Sequence, residues 1–252
     1  MDALHLRFTP TGYVVIFPQD NLDRTIDALL DINYAEEFCL ASDFEPVFIT
    51  HLMAAGFLVM STKVEEESSD AEEDENSGYL LLPKLHLTRS VLFFGDLHVK
   101  KSLKSLLSRY KLEVDRDFER IMNRCVEIHG DDWLTAPLRE NIRLIRGLNN
   151  SPVRPVSFGV YRDGELKAGE FGVVAGRVYT SYSGYYDEDN AGTVQMVLMT
   201  QYLKDAGFAF LDLGMPLDYK DALGARNIDP RYFVDLFRDA RGKEGFGPFS
   251  AP

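Results

Sequence analysis

Between Lys84 and Lys111 stand seven basic residues, Lys84, Arg89, Lys100, Lys101, Lys104, Arg109 and Lys111, against a single acid, Asp96. A local charge of +6 inside a chain of net charge −13 is a reversal of sign, and the chemistry such a cluster offers is neutralisation of phosphate. Val99, Leu103, Leu106, Leu107 and Tyr110 recur at helical spacing, which predicts an amphipathic basic helix near residues 98–111 with Lys100, Lys104 and Lys111 in a stripe and Lys101 beside it. Two readings are open, a solvated helix face and a surface that grips a nucleic-acid backbone. Other chemistry-bearing residues are sparse. The five histidines show no C-x-x-C, H-x-x-x-H or H-E-x-x-H spacing, so no metal is expected. Cys39 and Cys125 lie in apolar stretches and read as buried, reduced thiols.

The 252 residues are 45% hydrophobic and 27% charged, enough apolar material for one large core or two modest ones, which excludes collagen-like, wholly disordered and disulfide-stapled classes. The longest apolar runs, 54–60 and 91–94, fall short of the roughly 20 residues that span a bilayer. Residues 1–11 carry Asp2 and Arg7 and lack the pattern of a secretory signal, so a cytoplasmic location and no membrane contact are expected. Eight acids and no bases fall between Glu65 and Glu75, leaving −5 for the rest of the chain; this predicts a solvated, disordered insert over 64–78.

The elements that must position the chemistry read as follows. Residues 1–80 form a small N-terminal α/β lobe, with a strand-like segment at 12–17 and a helix at 21–32, and residues 81–245 form the second domain. Asp115 is the expected N-cap of a helix whose buried side carries Phe118, Ile121, Met122 and Cys125. Strands at 156–161 and 165–174 are joined by Asp163-Gly164, a tight-hairpin dipeptide, and Ala175-Gly176 turns into a third at 177–183. A helix from Asn190 to Asp205, closed by Gly207, leads to a strand at 208–213. The order strand, strand, strand, helix, strand predicts an α+β domain, an antiparallel-rich sheet with packed helices.

From Arg89 to Phe233 the sequence resembles the leucyl/phenylalanyl-tRNA-protein transferases. Leu-His-Val-Lys-Lys-Ser-Leu-Lys (97–104) is similar to that family's basic helix, and Asp117, Phe118, Ile121 and Cys125 follow at matching spacing. Trp133 lies where the family has a tryptophan, and 164–172 resembles its glycine-rich hairpin. Asn190-Ala191 opens the helix, Asp212 ends the next strand, and Leu223-Gly224-Ala225 follows as in the family. The resemblance implies a GNAT-like C-terminal domain and transfer of an amino acid from a tRNA 3′ end to the N-terminal amine of a protein or peptide, a mark for degradation, with no cofactor. It implies that Arg89, Lys100, Lys101 and Lys104 bind tRNA, that Trp133 stacks on the terminal adenine or else is core, and that Asn190 and Gly224 are structural.

Three departures touch that chemistry. The family's catalytic glutamate aligns with Tyr182 and its glutamine with Gly214, leaving Asp212 to orient or deprotonate an ammonium and Tyr182 to donate a hydrogen bond. The tryptophan pair before Arg89 is replaced by Leu85, His86, Leu87 and Thr88. The aminoacyl pocket of the resemblance falls on Glu170, Tyr179, Met196, Met199 and Leu211. If Glu170 faces inward the donor is arginine or lysine; if it faces solvent the donor is of the leucine or phenylalanine type. Two other functions remain open, a tRNA-end or N-terminal-peptide binding protein that has lost catalysis, and a CoA-dependent acetyltransferase, against which stands the missing glycine-rich loop before Asn190.

Overall fold

The computed structural model describes residues 6–64 and 78–242, so all of the expected acidic insert except Val64 and Gly78 lies outside the described residues. In chain order the elements are β1 (Arg7–Phe8), β2 (Val14–Val15), α1 (Leu22–Asp31), α2 (Pro46–Ala55), β3 (Leu58–Lys63), β4 (Tyr79–Lys84), β5 (Arg89–Leu92), α3 (Lys101–Leu107), β6 (Lys111–Val114), α4 (Phe118–His129) and α5 (Ala136–Gly147). There follow β7 (Arg154–Arg162), β8 (Glu165–Ala175), β9 (Val178–Tyr186), α6 (Ala191–Asp205), β10 (Phe210–Asp212), α7 (Asp218–Ala222), β11 (Arg226–Ile228) and α8 (Pro230–Arg241).

The chain divides into two compact units, Met1–Leu87 with Gly130–Ser151 and Thr88–His129 with Pro152–Pro252. This corrects the boundary expected after residue 80, which would cut β4 while it is paired with β3 from Lys63↔Tyr79 to Leu58↔Lys84. It also moves α5 into the first unit, because its apolar face, Leu138, Ile142 and Ile145, is buried and the helix packs on α2. In the first unit α1 starts where Asn21 accepts a hydrogen bond from the Arg24 amide, as an N-cap should, and Gly56 ends α2 at φ 108.

The second unit is a seven-stranded sheet in the order β11-β5-β10-β9-β8-β7-β6. Every pairing is antiparallel except β9 with β10, and α6 is the crossover that a parallel pair requires. Asp163 and Gly164 take φ 54 and 83, the left-handed pair that reverses β7 into β8. Helix α4 covers one face of β7, β8 and β9, and α6 covers the other. Strand alternation therefore sorts the side chains: Phe171 meets Phe118 of α4, whereas Phe158 meets Tyr202 of α6. With both faces covered, β8 is buried along most of its length, and a fully buried aromatic such as Phe158 contributes about 1.5–3 kcal/mol over leaving it in water.

One local expectation fails. The basic helix spans Lys101–Leu107 rather than 98–111, because Lys111–Val114 pairs with β7 from Lys111↔Tyr161 to Val114↔Phe158. Pairing with a distant strand there outweighs local helix propensity. Asp115, ahead of α4, takes φ 58, and its carboxylate accepts from the Ser157 amide at 3.1 Å and from Arg154 at 3.3 Å.

Candidate active site

The end of β10 gathers several buried polar groups around one carboxylate. Asp212, fully buried, accepts from Arg89 Nε at 2.8 Å and Nη2 at 2.6 Å, from Thr180 Oγ1 at 2.8 Å and from the Gly214 amide at 3.0 Å. The Arg89 guanidinium lies 4.3 Å from the centroid of the Phe233 ring on α8. These four contacts occupy both oxygens of the carboxylate and tie Asp212, expected from the resemblance to be catalytic, to the turn after β10. Arg89, which the resemblance places at the tRNA, is 1% exposed and held in this bidentate pair, with its Nη1 buried and without a hydrogen-bond partner.

Gly214, where the resemblance has glutamine, has φ 69, and its carbonyl accepts from the Ser90 amide at 2.7 Å. A side chain is strained in that conformation. Gly214→Gln is therefore expected to cost about 1–3 kcal/mol, read as a lower urea midpoint at unchanged m-value, and not to improve function.

On the other face, toward α6, Tyr179, Met196, Met199 and Leu211 are all buried in one apolar layer, so four of the five residues expected to form the aminoacyl pocket come together. The fifth, Glu170, is 2% exposed, so it does not face solvent. Burial pushes its carboxyl up to about 7, against hydrogen bonding from Gln195, Ser181 and Tyr179 and the charge of Lys220. Burial first, and the Glu170 charge second, raise the Tyr179 hydroxyl well above its ordinary value. Gly172 makes the room: a Cβ there would fall 2.7 Å from the Tyr179 ring and from its hydroxyl.

Lys220 was not anticipated from sequence. It is 6% exposed on the short helix α7, and its ammonium donates to the carbonyls of Leu213 at 2.6 Å and Met215 at 2.8 Å, tying down the chain just past Asp212. Burial pushes its pKa down to about 8, although Asp212 and Glu170 favour the charged form. No local signal marks it, since Asp218 and Asp221 on the same helix suggest a solvated lysine.

Tyr182 stands at a β-bulge, between the pairings Phe171↔Ser183 and Gly172↔Ser181, and is half-buried with its ring centroid 6.2 Å from that of Phe171. Asn190 precedes α6 at φ 67 without a side-chain cap bond. Gly224 has φ 98 and packs against the Asp96 carbonyl. Lys100, Lys101 and Lys104 are exposed at the start and middle of α3. Trp133 belongs to the first unit, half-buried, with its carbonyl accepting from the Ser61 amide at 2.9 Å.

Residues 91–238 match the family model described as leucyl/phenylalanyl-tRNA protein transferase. The chain belongs to the leucyl/phenylalanyl-tRNA-protein transferase family. A leucyl/phenylalanyl-tRNA-protein transferase from Pseudomonas putida (strain W619) is 34% identical over 154 residues, covering 58% of this chain and 66% of that protein. Another, from Pseudomonas aeruginosa (strain LESB58), is 31% identical over 167 residues, covering 63% and 71%. Among solved structures, FemX aligns over 89% of this chain and 81% of its own with a TM-score of 0.45 and 12% identity. Glu170, Tyr182 and Gly214, where the sequence resemblance implies departures, all fall within the matched segment.

Proposed function

We propose that this chain is an aminoacyl-tRNA-dependent aminoacyltransferase that joins the amino acid esterified to a tRNA 3′ end to the N-terminal amine of a protein or peptide in the cytoplasm. The observation that carries the reading is the family match across 91–238, which takes in the lysine helix, the buried layer under α6 and the turn after β10. A parallel β9/β10 pair crossed by α6 within an otherwise antiparallel sheet supports a GNAT-like domain.

In the reaction the neutral amine attacks the ester carbonyl, the C–N bond forms, and the C–O bond to ribose breaks. The ribose hydroxyl leaves with the proton that the amine gives up. An ester is already activated, so the protein's work is positioning and relief of charge on the carbonyl oxygen. Tyr182, displaced by its bulge, fits the second task as a hydrogen-bond donor. Asp212, Arg89 and Lys220 serve the first by fixing the turn that follows β10.

Lys100 and Lys101 sit at the positive end of α3, where cations oppose the helix dipole by about 0.3–1 kcal/mol each. Helix stability therefore does not explain them, and a polyanion does. Replacing Lys100, Lys101 and Lys104 together by glutamine is expected to reduce the slope of log affinity for charged tRNA against log salt by about 2–3. A slope that does not move removes this surface from the reading.

The decisive assay is transfer of a labelled amino acid from charged tRNA to a peptide with a free N-terminus. Label in the peptide is the expected result. Retention of charged tRNA without transfer favours the second reading, a binding protein on the same fold, which the tied-down Asp212 and the Gly214 position support.

A further inference from the structure

The layer between the central strands and α6 is built mainly of apolar side chains, and Glu170 is buried beside it at 2% exposure. The groups that hydrogen-bond its carboxyl, Gln195, Ser181 and Tyr179, are all neutral, and its Oε1 and the Tyr179 hydroxyl both fall short of full hydrogen-bond geometry with any neighbour. A buried carboxylate with no cation bonded to it is costly, so this point, on the face that carries Met196 and Met199, is electrostatically incomplete without a positive partner. Lys220 does not bond it, since its ammonium donates to the carbonyls of Leu213 and Met215.

We propose that Glu170 and Tyr179 form the recognition site for a cationic donor side chain, and that the amino acid this chain transfers is arginine rather than leucine or phenylalanine. The inference rests on the aminoacyl-transfer reading above. A guanidinium carries five N–H donors in a planar fork and can serve a carboxylate oxygen and a hydroxyl together, while its methylene stem packs on the flexible methionines. Lysine satisfies fewer of these contacts. A leucyl side chain satisfies neither acceptor, and a site built to hydrogen-bond a substrate discriminates strongly against one that lacks the donors.

The proton balance gives the proposal a second signature. Burial holds the Glu170 carboxyl partly protonated near neutral pH, and a cation beside it favours the ionised form. The other titratable groups that act on Glu170, or feel its charge, are Tyr179 on β9, Cys125 on α4, and Tyr219 and Lys220 on α7. Arginyl transfer gains, and leucyl transfer loses, as pH rises through about 7. The arginine-to-leucine ratio isolates this effect, because the acceptor amine and the lability of the ester are common to both donors.

The test compares kcat/KM for Arg-, Lys-, Leu- and Phe-tRNA with one peptide acceptor and the full chain. Arginine is expected to exceed leucine by about 100-fold, and E170Q and E170M are each expected to cut that ratio by about 100-fold and to flatten its pH dependence. Y179F, which keeps the charge, is expected to cut it by about 10-fold and remains informative if the Glu170 variants do not fold. Calorimetric binding of stable 3′-amide analogues, arginyl- and leucyl-aminoadenosine, is the second measurement, with the arginyl compound binding more tightly. A wild-type preference for leucine or phenylalanine that survives in E170M overturns the proposal. Transfer from none of the four tRNAs overturns the activity itself, and the analogues then decide the site: equal or tighter leucyl binding overturns it, tighter arginyl binding supports it.

Discussion

Replacing Arg89 alone by leucine is expected to destabilise the second unit by about 3–5 kcal/mol, because it strands the Asp212 carboxylate at 0% exposure with only Thr180 and the Gly214 amide as partners. Replacing Arg89 and Asp212 together by leucine should recover much of that loss, since an apolar pair carries no desolvation cost. Urea denaturation of the two single variants and the double variant forms a cycle whose coupling is expected to exceed about 2 kcal/mol. Simple additivity would mean that the bidentate contact does not hold the turn. Activity separates positioning from proton transfer. Asp212→Asn is expected to lower kcat/KM while leaving the pH-rate profile in place, whereas loss of its acidic limb would make Asp212 the base after all.

Gly224→Ala is the second substitution with a large expected effect. A Cβ at this position would stand 2.1 Å from the Asp96 carbonyl oxygen, and φ 98 is a conformation that a residue with a side chain rarely adopts. The neighbour is backbone and cannot swing aside, so strain and overlap together should cost about 3 kcal/mol or more. The damage also has a direction. The His98 amide bonds the Leu223 carbonyl at 2.9 Å, so the segment leading into the lysine helix is fastened to the residue just before Gly224. Faster hydrogen exchange at the His98 amide, together with weaker tRNA binding, is the expected result. An unchanged thermal midpoint and unchanged exchange would show that Gly224 is dispensable there.

The central strands were legible in the sequence because their information is local. Asp163-Gly164 specifies its own turn, apolar alternation specifies β7 to β9, and an apolar run closed by Gly207 specifies α6, whose observed start at Ala191 lies one residue from the expected Asn190. The short outer strands were not. β5 and β11 are four and three residues long, and each is a strand only because another part of the chain arrives beside it. The same holds for β6, which ends the basic helix early, and for α5, which the sequence assigns to the wrong unit.

The site divides in the same way. Sequence by itself determined the family, the lysine cluster and the set of residues that line the layer under α6, because motif order and side-chain period survive without knowledge of contacts. Only the tertiary structure decided the burial and the partners of the polar groups: that Arg89 reaches across 123 residues to Asp212, that Lys220 is buried by the turn it holds, and that Glu170 is buried among neutral hydrogen-bonding groups. A carboxylate reads the same in a sequence whether it is solvated, saturated or waiting for a cation. The difference is made by desolvation and by which distant donors come within about 3 Å, and neither is a property of its neighbours along the chain.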